Sequence, residues 1–162
     1  MIQKETIRKL AQERIDELDA GLFIVEITIS SKPSIYVELD KEEGYVAIDE
    51  CVSVSRNIEH NLDRESQDFE LHVSSAGLDK PLRVPKQFIK NIGREVSVIK
   101  KDGSSLTGIL MASKAKQLTL EITKVEKLEG KKKKETVVEQ IVLPMSQIKE
   151  TKIVISFKQV AL

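Results

Sequence analysis

Few residues of this chain could serve a catalytic or metal site. The 162 residues include one cysteine, Cys51, and two histidines, His60 and His72. Cys51 falls beside the apolar stripe of a predicted helix, where a thiol usually packs as a small hydrophobe, and the spacing of the three residues matches no zinc motif. The isolated glycines provide no phosphate-binding loop, since no Gly-Lys-Ser/Thr sequence follows a predicted strand. We therefore predict a protein that is not an enzyme and uses no metal or cofactor, with a hydrolase dependent on Cys51 as the alternative.

The lysines of the second half suggest a different chemistry. They form one unbroken run and two smaller pairs upstream of it. Lysine side chains bind phosphates without reading base identity, and no aromatic residue lies among them to stack on bases. We predict that these lysines bind RNA by its shape and its phosphates rather than by its base sequence. The alternative for the unbroken run is a solvated hairpin tip without a ligand. The candidate RNA-binding residues are Lys100, Lys101, Lys114, Lys116, Lys131, Lys132, Lys133 and Lys134.

Charge is divided unequally along the chain, although the formal net charge is zero. Residues 1–80 contain nine Lys and Arg against 18 Asp and Glu, a net charge of −9. Residues 81–162 contain 17 Lys and Arg against eight Asp and Glu, a net charge of +9. Such a split predicts oppositely charged partners for the two halves, with nucleic acid as the candidate for the basic half. Solubility with mutual attraction of the two halves is the alternative.

The first 75 residues combine helical and extended patterns. Apolar residues recur at three- and four-residue spacing over 3–20 and 48–62, which predicts two amphipathic helices. Alternation over 23–30, 35–40 and 69–74 predicts three strands, the first two forming an antiparallel hairpin. The order α-β-β-α-β predicts two helices on one face of a three-stranded sheet. The predicted buried stripe of the second helix consists of Ile48, Val52, Ile58 and Leu62.

Beyond residue 75 the pattern changes. Residues 75–86 contain two prolines, a glycine and no periodicity, which predicts a short, stiffened connector. The remainder reads as β structure, and five short strands in about 70 residues are typical of a small closed or nearly closed barrel. The pattern alone does not separate an SH3-like barrel from an OB-fold. The five predicted strands lie near residues 96–98, 106–110, 118–122, 137–143 and 153–157.

The cellular location is suggested by three features. No apolar run approaches the roughly 20 residues that a membrane-spanning helix needs. The first ten residues mix charged and apolar side chains and lack the apolar core of a signal peptide. A lone cysteine fits a reducing compartment, so we predict a soluble, cytoplasmic protein without membrane contact.

A motif around the predicted third strand resembles a known family. Residues 69–83, FELHVSSAGLDKPLR, are similar to the hallmark of the bacterial ribosome maturation factor RimP family, which typically reads Leu-Glu-Val-Ser-Ser-Pro-Gly-Leu-Asp-Arg-Pro-Leu. His72, Ala76 and Lys80 depart from that pattern. Two further stretches, 49–55 and 93–98, also resemble the family. The signature residues singled out are Ser74, Ser75, Gly77, Leu78, Asp79, Lys80, Pro81, Leu82 and Arg83.

The resemblance implies an α+β protein with an N-terminal two-helix, three-stranded domain and a C-terminal SH3- or Sm-like barrel. Expected bounds are 1–78 for the acidic domain, 79–86 for the connector and 87–162 for the basic domain. The family acts in late maturation of the small (30S) ribosomal subunit. It binds ribosomal RNA and a basic ribosomal protein near the decoding centre transiently, without catalysis or cofactor.

Two further expectations concern the signature and the alternatives. We expect the signature to set the angle between the domains rather than to contact the ribosome directly, with Gly77 supplying a backbone angle unusual for other residues. We expect a monomer. A general RNA chaperone or an Sm-like translational regulator is the alternative to a small-subunit assembly factor.

Overall fold

The computed structural model describes residues 2–127 and 134–155. The chain divides into two compact units, Met1–Gly77 and Leu78–Leu162. Each unit has its own cluster of buried apolar side chains. Within the described ranges, no helix is both long enough and apolar enough to cross a membrane.

The first unit consists of two helices and a three-stranded sheet. Its strand order is β1-β2-β3, with β1 and β2 antiparallel and β2 and β3 parallel. The predicted order α-β-β-α-β and the predicted hairpin are therefore confirmed. The elements are α1 (Lys4–Leu18), β1 (Leu22–Ile29), β2 (Ser34–Lys41), α2 (Ile48–His60) and β3 (Glu70–Ser75).

Both helices of the first unit contribute to one core with the sheet. Alternation in β2 turns three aliphatic side chains toward the helices, and a similar alternation in β1 does the same. Burial of these aliphatic side chains is the main stabilising contribution, at about 25 cal/mol per Å² of apolar surface. The fully enclosed members of this core are Ile7, Ala11, Ile27, Ile35, Val37, Leu39, Val54 and Ile58.

The predicted buried stripe of α2 is confirmed at Ile58 and wrong at Ile48 and Val52. Val54 and Ile58 are completely buried, whereas Ile48 is 82% exposed and Val52 is 41% exposed. Leu62 follows the helix and is partly buried against the core. The helix has apolar residues on two adjacent faces, so helical spacing alone allows two stripes. Packing against α1 and the sheet selects the face with Val54 and Ile58.

The second unit is a short helix followed by a five-stranded antiparallel sheet in the order β7-β6-β5-β4-β8. In the described part of the chain β7 and β8 are the edge strands and do not pair with each other, so closure of the sheet into a barrel is not confirmed. The elements are α3 (Pro85–Lys90), β4 (Glu95–Lys100), β5 (Ser105–Lys114), β6 (Gln117–Lys127), β7 (Lys134–Pro144), a 3-10 helix (Met145–Gln147) and β8 (Ile148–Ile153).

Two sequence predictions for this unit need correction. The helix α3 was not predicted, because only six residues adopt it and its sequence PKQFIK is too short to show a period. The last strand was predicted at 153–157 but spans Ile148–Ile153, and residues 156–162 lie outside the described part. Its charged residues at 149, 150 and 152 conceal the strand, and its buried residues Ile148 and Thr151 are three apart because an irregularity in the pairing with β4 interrupts the alternation.

Gly108 allows two strands of this sheet to approach closely. A Cβ atom at Gly108 in β5 would lie 2.8 Å from the backbone oxygen of Glu121 in β6 and 3.1 Å from Cγ1 of Ile122. A side chain there would collide with the backbone of the neighbouring strand. The core beneath contains Phe88, Val96, Val98, Leu110, Leu118, Leu120, Leu143 and Ile148.

Candidate functional site

The first pair of candidate lysines lies at the β4–β5 hairpin. Lys100 ends β4 and Lys101 begins the exposed turn. The turn is closed by the Lys100 N–H, which donates to the Ser104 carbonyl oxygen at 2.8 Å. Asp102 Oδ1 accepts bonds from the Ser104 hydroxyl at 2.6 Å and from the Ser104 N–H at 2.8 Å. These two bonds lower the pKa of Asp102 below its usual value, and the bond from the hydroxyl has the larger effect.

The second pair lies at the other end of β5. Lys114 is the last residue of that strand and Lys116 belongs to the turn into β6, and both are exposed. The Met145 N–H donates to the Lys116 carbonyl oxygen at 2.8 Å, which holds this turn against the end of β7. The Lys101 N–H donates to the Gln147 carbonyl oxygen at 2.9 Å, so both turns are bonded to the same 3-10 helix, Met145–Gln147. A three-residue helix is short, so the structure brings the backbones of the two turns within roughly 17 Å of each other.

The lysine run is only partly described. Lys131, Lys132 and Lys133 lie outside the described residues. The backbone of Lys134 begins β7 and stands opposite Lys127 of β6. Binding of RNA by this run therefore stays a prediction.

The signature residues are distributed over both units. Ser74 and Ser75 end β3 and are exposed, and Gly77 closes the first unit. The positive-φ glycines of the described chain are at 21, 44, 93 and 103, so the unusual left-handed angle expected at Gly77 is not found. Leu78, Asp79 and the residues up to Arg83 belong to the second unit by backbone contacts.

The end of the signature is held by backbone hydrogen bonds within the second unit. The Leu82 N–H donates to the Thr151 carbonyl oxygen of β8 at 2.8 Å. The Arg83 N–H donates to Oε1 of Gln87 at 2.7 Å, and the same oxygen accepts from the Val84 N–H at 3.3 Å. These bonds fix the chain as it enters α3. They give residues 82–84 a structural role that does not depend on a ligand.

A groove between α2 and β3 was missed by the sequence analysis. This α2–β3 groove has a volume of about 660 Å³ and lies entirely within the first unit. The exposed apolar side chains of α2 form part of its wall, because the helix buries its other face. The residues that line it include Val46, Ile48, Cys51, Val52, Leu71, His72, Val73, Ser74 and Ser75.

One side of the groove is the free edge of the sheet. The Glu70 N–H donates to the Pro33 carbonyl oxygen at 3.1 Å, and the Ala76 N–H donates to the Leu39 carbonyl oxygen at 2.7 Å. In a parallel pair, alternate residues of a strand turn their backbone groups toward the same neighbour. The residues of β3 with even numbers therefore bond to β2.

The odd-numbered residues of β3 turn their backbone groups outward. Their N–H and C=O groups, at Leu71, Val73 and Ser75, point away from β2. No strand in the described part of the chain lies on that side, because β3 ends the sheet. The side chains of Leu71 and Val73 pack partly against the core and partly line the groove.

The candidate catalytic residues form no activated arrangement. Cys51 is partly buried, and this burial, with the Glu50 charge second, raises the pKa of its thiol. A raised pKa lowers the fraction of nucleophilic thiolate. His72 stacks on Tyr36 with ring centroids 4.8 Å apart, and its Nε2 lies 3.7 Å from Oε2 of Glu70. No group of three or more acidic, His or Cys side chains suited to a metal occurs among the described residues.

Comparison with known proteins identifies the family. Residues 10–79 match the family model of the RimP N-terminal domain. A protein of Christiangramia forsetii named ribosome maturation factor RimP is 40% identical, with 95% of this chain and 99% of the relative covered. Proteins with the same name from Porphyromonas gingivalis and Flavobacterium psychrophilum are 38% and 34% identical, covering 93% and 97% of this chain and 97% and 100% of the relatives. The chain therefore belongs to the RimP family.

Proposed function

We propose that this protein is a non-enzymatic, cytoplasmic factor for late maturation of the small (30S) ribosomal subunit. In this proposal it acts as a monomer and leaves the subunit before translation. The proposal is supported by family membership and by the names of the relatives, which describe them as ribosome maturation factors. The raised pKa of the partly buried Cys51 thiol argues against the hydrolase alternative.

The opposite charges of the two units are the observation on which the proposed mechanism rests. Residues 1–77 carry a net charge of −9 and residues 78–162 a net charge of +9. We propose that the acidic unit binds a basic ribosomal protein near the decoding centre. We propose that the basic unit binds ribosomal RNA through phosphates, since its lysines are not accompanied by stacking aromatic residues.

The domain assignment is also a proposal. We assign residues 1–78 to the acidic domain, 79–86 to a connector and 87–162 to a basic SH3/Sm-like domain. In the five-stranded sheet the first strand, β4, lies between its successor β5 and the last strand β8. The first and last strands of the unit therefore lie side by side, as in small antiparallel barrels.

Sedimentation of cell extracts tests the proposed function. We expect the full-length protein to co-sediment with free small subunits and to be depleted from translating ribosomes. A strain without the protein should accumulate immature small subunits. Equal presence on free subunits and translating ribosomes would contradict the proposal. Recovery of many messenger RNAs with normal subunit assembly would favour the RNA chaperone or translational regulator instead.

A further inference from the structure

The outer edge of β3 lacks the features that usually protect a free strand. Edge strands are commonly protected by lysine, proline, a bulge or a covering element, because their unpaired backbone groups accept another strand. The β3 sequence ELHVSS contains neither lysine nor proline. Its pairing with β2 is regular from Ser34 opposite Glu70 to Leu39 opposite Ser75, without a bulge. Within the described part of the first unit, the edge is therefore open to pairing with an extended segment.

The groove beside this edge provides a place for side chains. Ile48 and Val52 of α2 are exposed on one wall, and Leu71 and Val73 of β3 are half-buried on the other. A strand added to β3 would direct alternate side chains into this apolar space. The side chains between them would point to the opposite face of the sheet.

That opposite face has a charge that indicates the kind of partner. Glu70 lies there with its carboxylate side chain 73% exposed, next to His72. The whole first unit carries 17 Asp and Glu against eight Lys and Arg. A basic segment would be attracted to such a surface, and an acidic segment would be repelled.

We infer that an extended, basic polypeptide segment binds along the edge of β3 as a fourth strand of the first sheet. Its alternate apolar side chains enter the α2–β3 groove, and its intervening basic side chains lie beside Glu70. Main-chain hydrogen bonds to Leu71, Val73 and Ser75 hold the segment in register. The inference rests on the proposed function, since it assigns a location and a binding mode to the basic protein partner.

A synthetic peptide of alternating lysine and valine is the probe for this inference. We expect it to bind the full-length protein and to slow hydrogen exchange at the amides of Leu71, Val73 and Ser75, measured by NMR. A peptide of equal charge in which proline replaces each valine loses half of its backbone N–H donors and pairs poorly as a strand, and it should bind at least about tenfold more weakly. Equal binding of the two peptides would overturn the inference, because charge alone would then explain it.

A matched pair of variants tests the edge itself. Ser75→Pro removes an outward-pointing N–H, while Ser75→Ala removes only the exposed hydroxyl and keeps that N–H. We expect about tenfold weaker binding of the lysine–valine peptide by Ser75→Pro and unchanged binding by Ser75→Ala. Thermal unfolding shows whether each variant keeps its fold. Equal affinities in two folded variants would contradict strand addition.

A second pair of variants tests the groove and does not depend on the stability of β3. Ile48→Lys places a charge on its wall at a side chain that is already 82% exposed. Ile89→Lys makes the same change at a 58% exposed residue of α3 in the other unit. We expect the first variant to bind the lysine–valine peptide at least about fivefold more weakly and the second to bind normally. Equal affinities of the two variants would overturn the inference.

Two controls separate this inference from other outcomes. Sedimentation velocity shows whether the chain self-associates; a dimer that Ser75→Pro dissociates would mean that a second copy occupies β3, and would overturn the inference. Co-sedimentation of the wild-type protein with free small subunits tests the proposed function independently. Normal co-sedimentation of both the wild type and Ser75→Pro, with no binding of the peptide, would overturn only the inference.

Discussion

Gly108 shows how a single residue controls the spacing of two strands in the second unit. It lies on β5 opposite the β6 backbone, where the Glu121 carbonyl oxygen leaves no room for a methyl group. The neighbour that a Cβ would meet first belongs to the backbone, which cannot rotate away as a side chain would. Relief of the contact would require β5 and β6 to separate locally, at the cost of their hydrogen bonds.

We predict that Gly108→Ala destabilises the protein by about 1 to 3 kcal/mol. Urea denaturation followed by circular dichroism measures the change. Ser105→Ala is the matched control, because Ser105 is exposed at the start of the same strand and should change stability by less than about 0.5 kcal/mol. An unchanged midpoint for Gly108→Ala would show that the two strands separate at little cost.

At the scale of elements, the start of α2 is fixed by one acidic side chain. Oε1 of Glu50 accepts a bond from the Ala47 N–H at 2.8 Å, which satisfies a backbone donor at the helix start. Oε2 of Glu50 lies 3.1 Å from Nζ of Lys41 in β2. The bond from Ala47 lowers the pKa of Glu50 most, and the interactions with Lys41 lower it further. Together they outweigh burial, which acts to raise this pKa. The same carboxylate therefore connects the helix start to the sheet and orients the wall of the α2–β3 groove.

A lowered pKa gives a stability that depends on pH. The ionised Glu50 carboxylate stabilises the fold above its ordinary value of 4.5, and this contribution is lost as the pH falls through the lower pKa of the folded state. We predict that Glu50→Gln lowers stability by about 1 kcal/mol at pH 7 and that its difference from the wild type shrinks toward pH 3. Asp49→Asn, at an exposed neighbouring carboxylate, is the control. A difference that is constant with pH would contradict the role assigned to the charge.

At the scale of the whole molecule, the two units carry opposite net charges, and four candidate lysines of the basic unit lie at two neighbouring turns. Lys100 and Lys101 lie at one end of β5, and Lys114 and Lys116 lie at the other. Both turns are bonded to the 3-10 helix Met145–Gln147, which places their backbones within roughly 17 Å of each other. One stretch of RNA can therefore contact both pairs.

Alanine substitutions test whether both pairs contact RNA. We predict that replacing either lysine pair lowers the slope of log affinity against log salt for ribosomal RNA by up to about 2, and that replacing both pairs lowers it by up to about 4, because each phosphate contact contributes about 1. Replacement of Lys131 to Lys134 should lower the slope by up to about 4 if the run binds phosphates. Lys4 and Lys9, both exposed on α1 of the acidic unit, provide the control pair. An unchanged slope would mean that the substituted lysines are exposed to solvent and do not bind phosphates.

The sequence by itself determined the first unit well, because strand and helix periods are local properties. Alternation in Ile35, Val37 and Leu39 predicted a strand with one buried face, and these three side chains are completely buried. The division of charge and the family signature are also properties of the sequence. In the second unit, local pattern found four of the five described strands but missed α3, which is too short to show a period, and displaced β8.

The tertiary structure alone decided which surfaces are free. The sequence of α2 allows two buried faces, and only packing against α1 and the sheet leaves Ile48 and Val52 exposed. In the same way, alternation predicts β3 as a strand but does not state which neighbour it pairs with. The parallel pairing with β2 leaves the opposite edge open beside the α2–β3 groove. Burial and strand pairing depend on contacts between residues distant in sequence, and a local pattern carries no information about them.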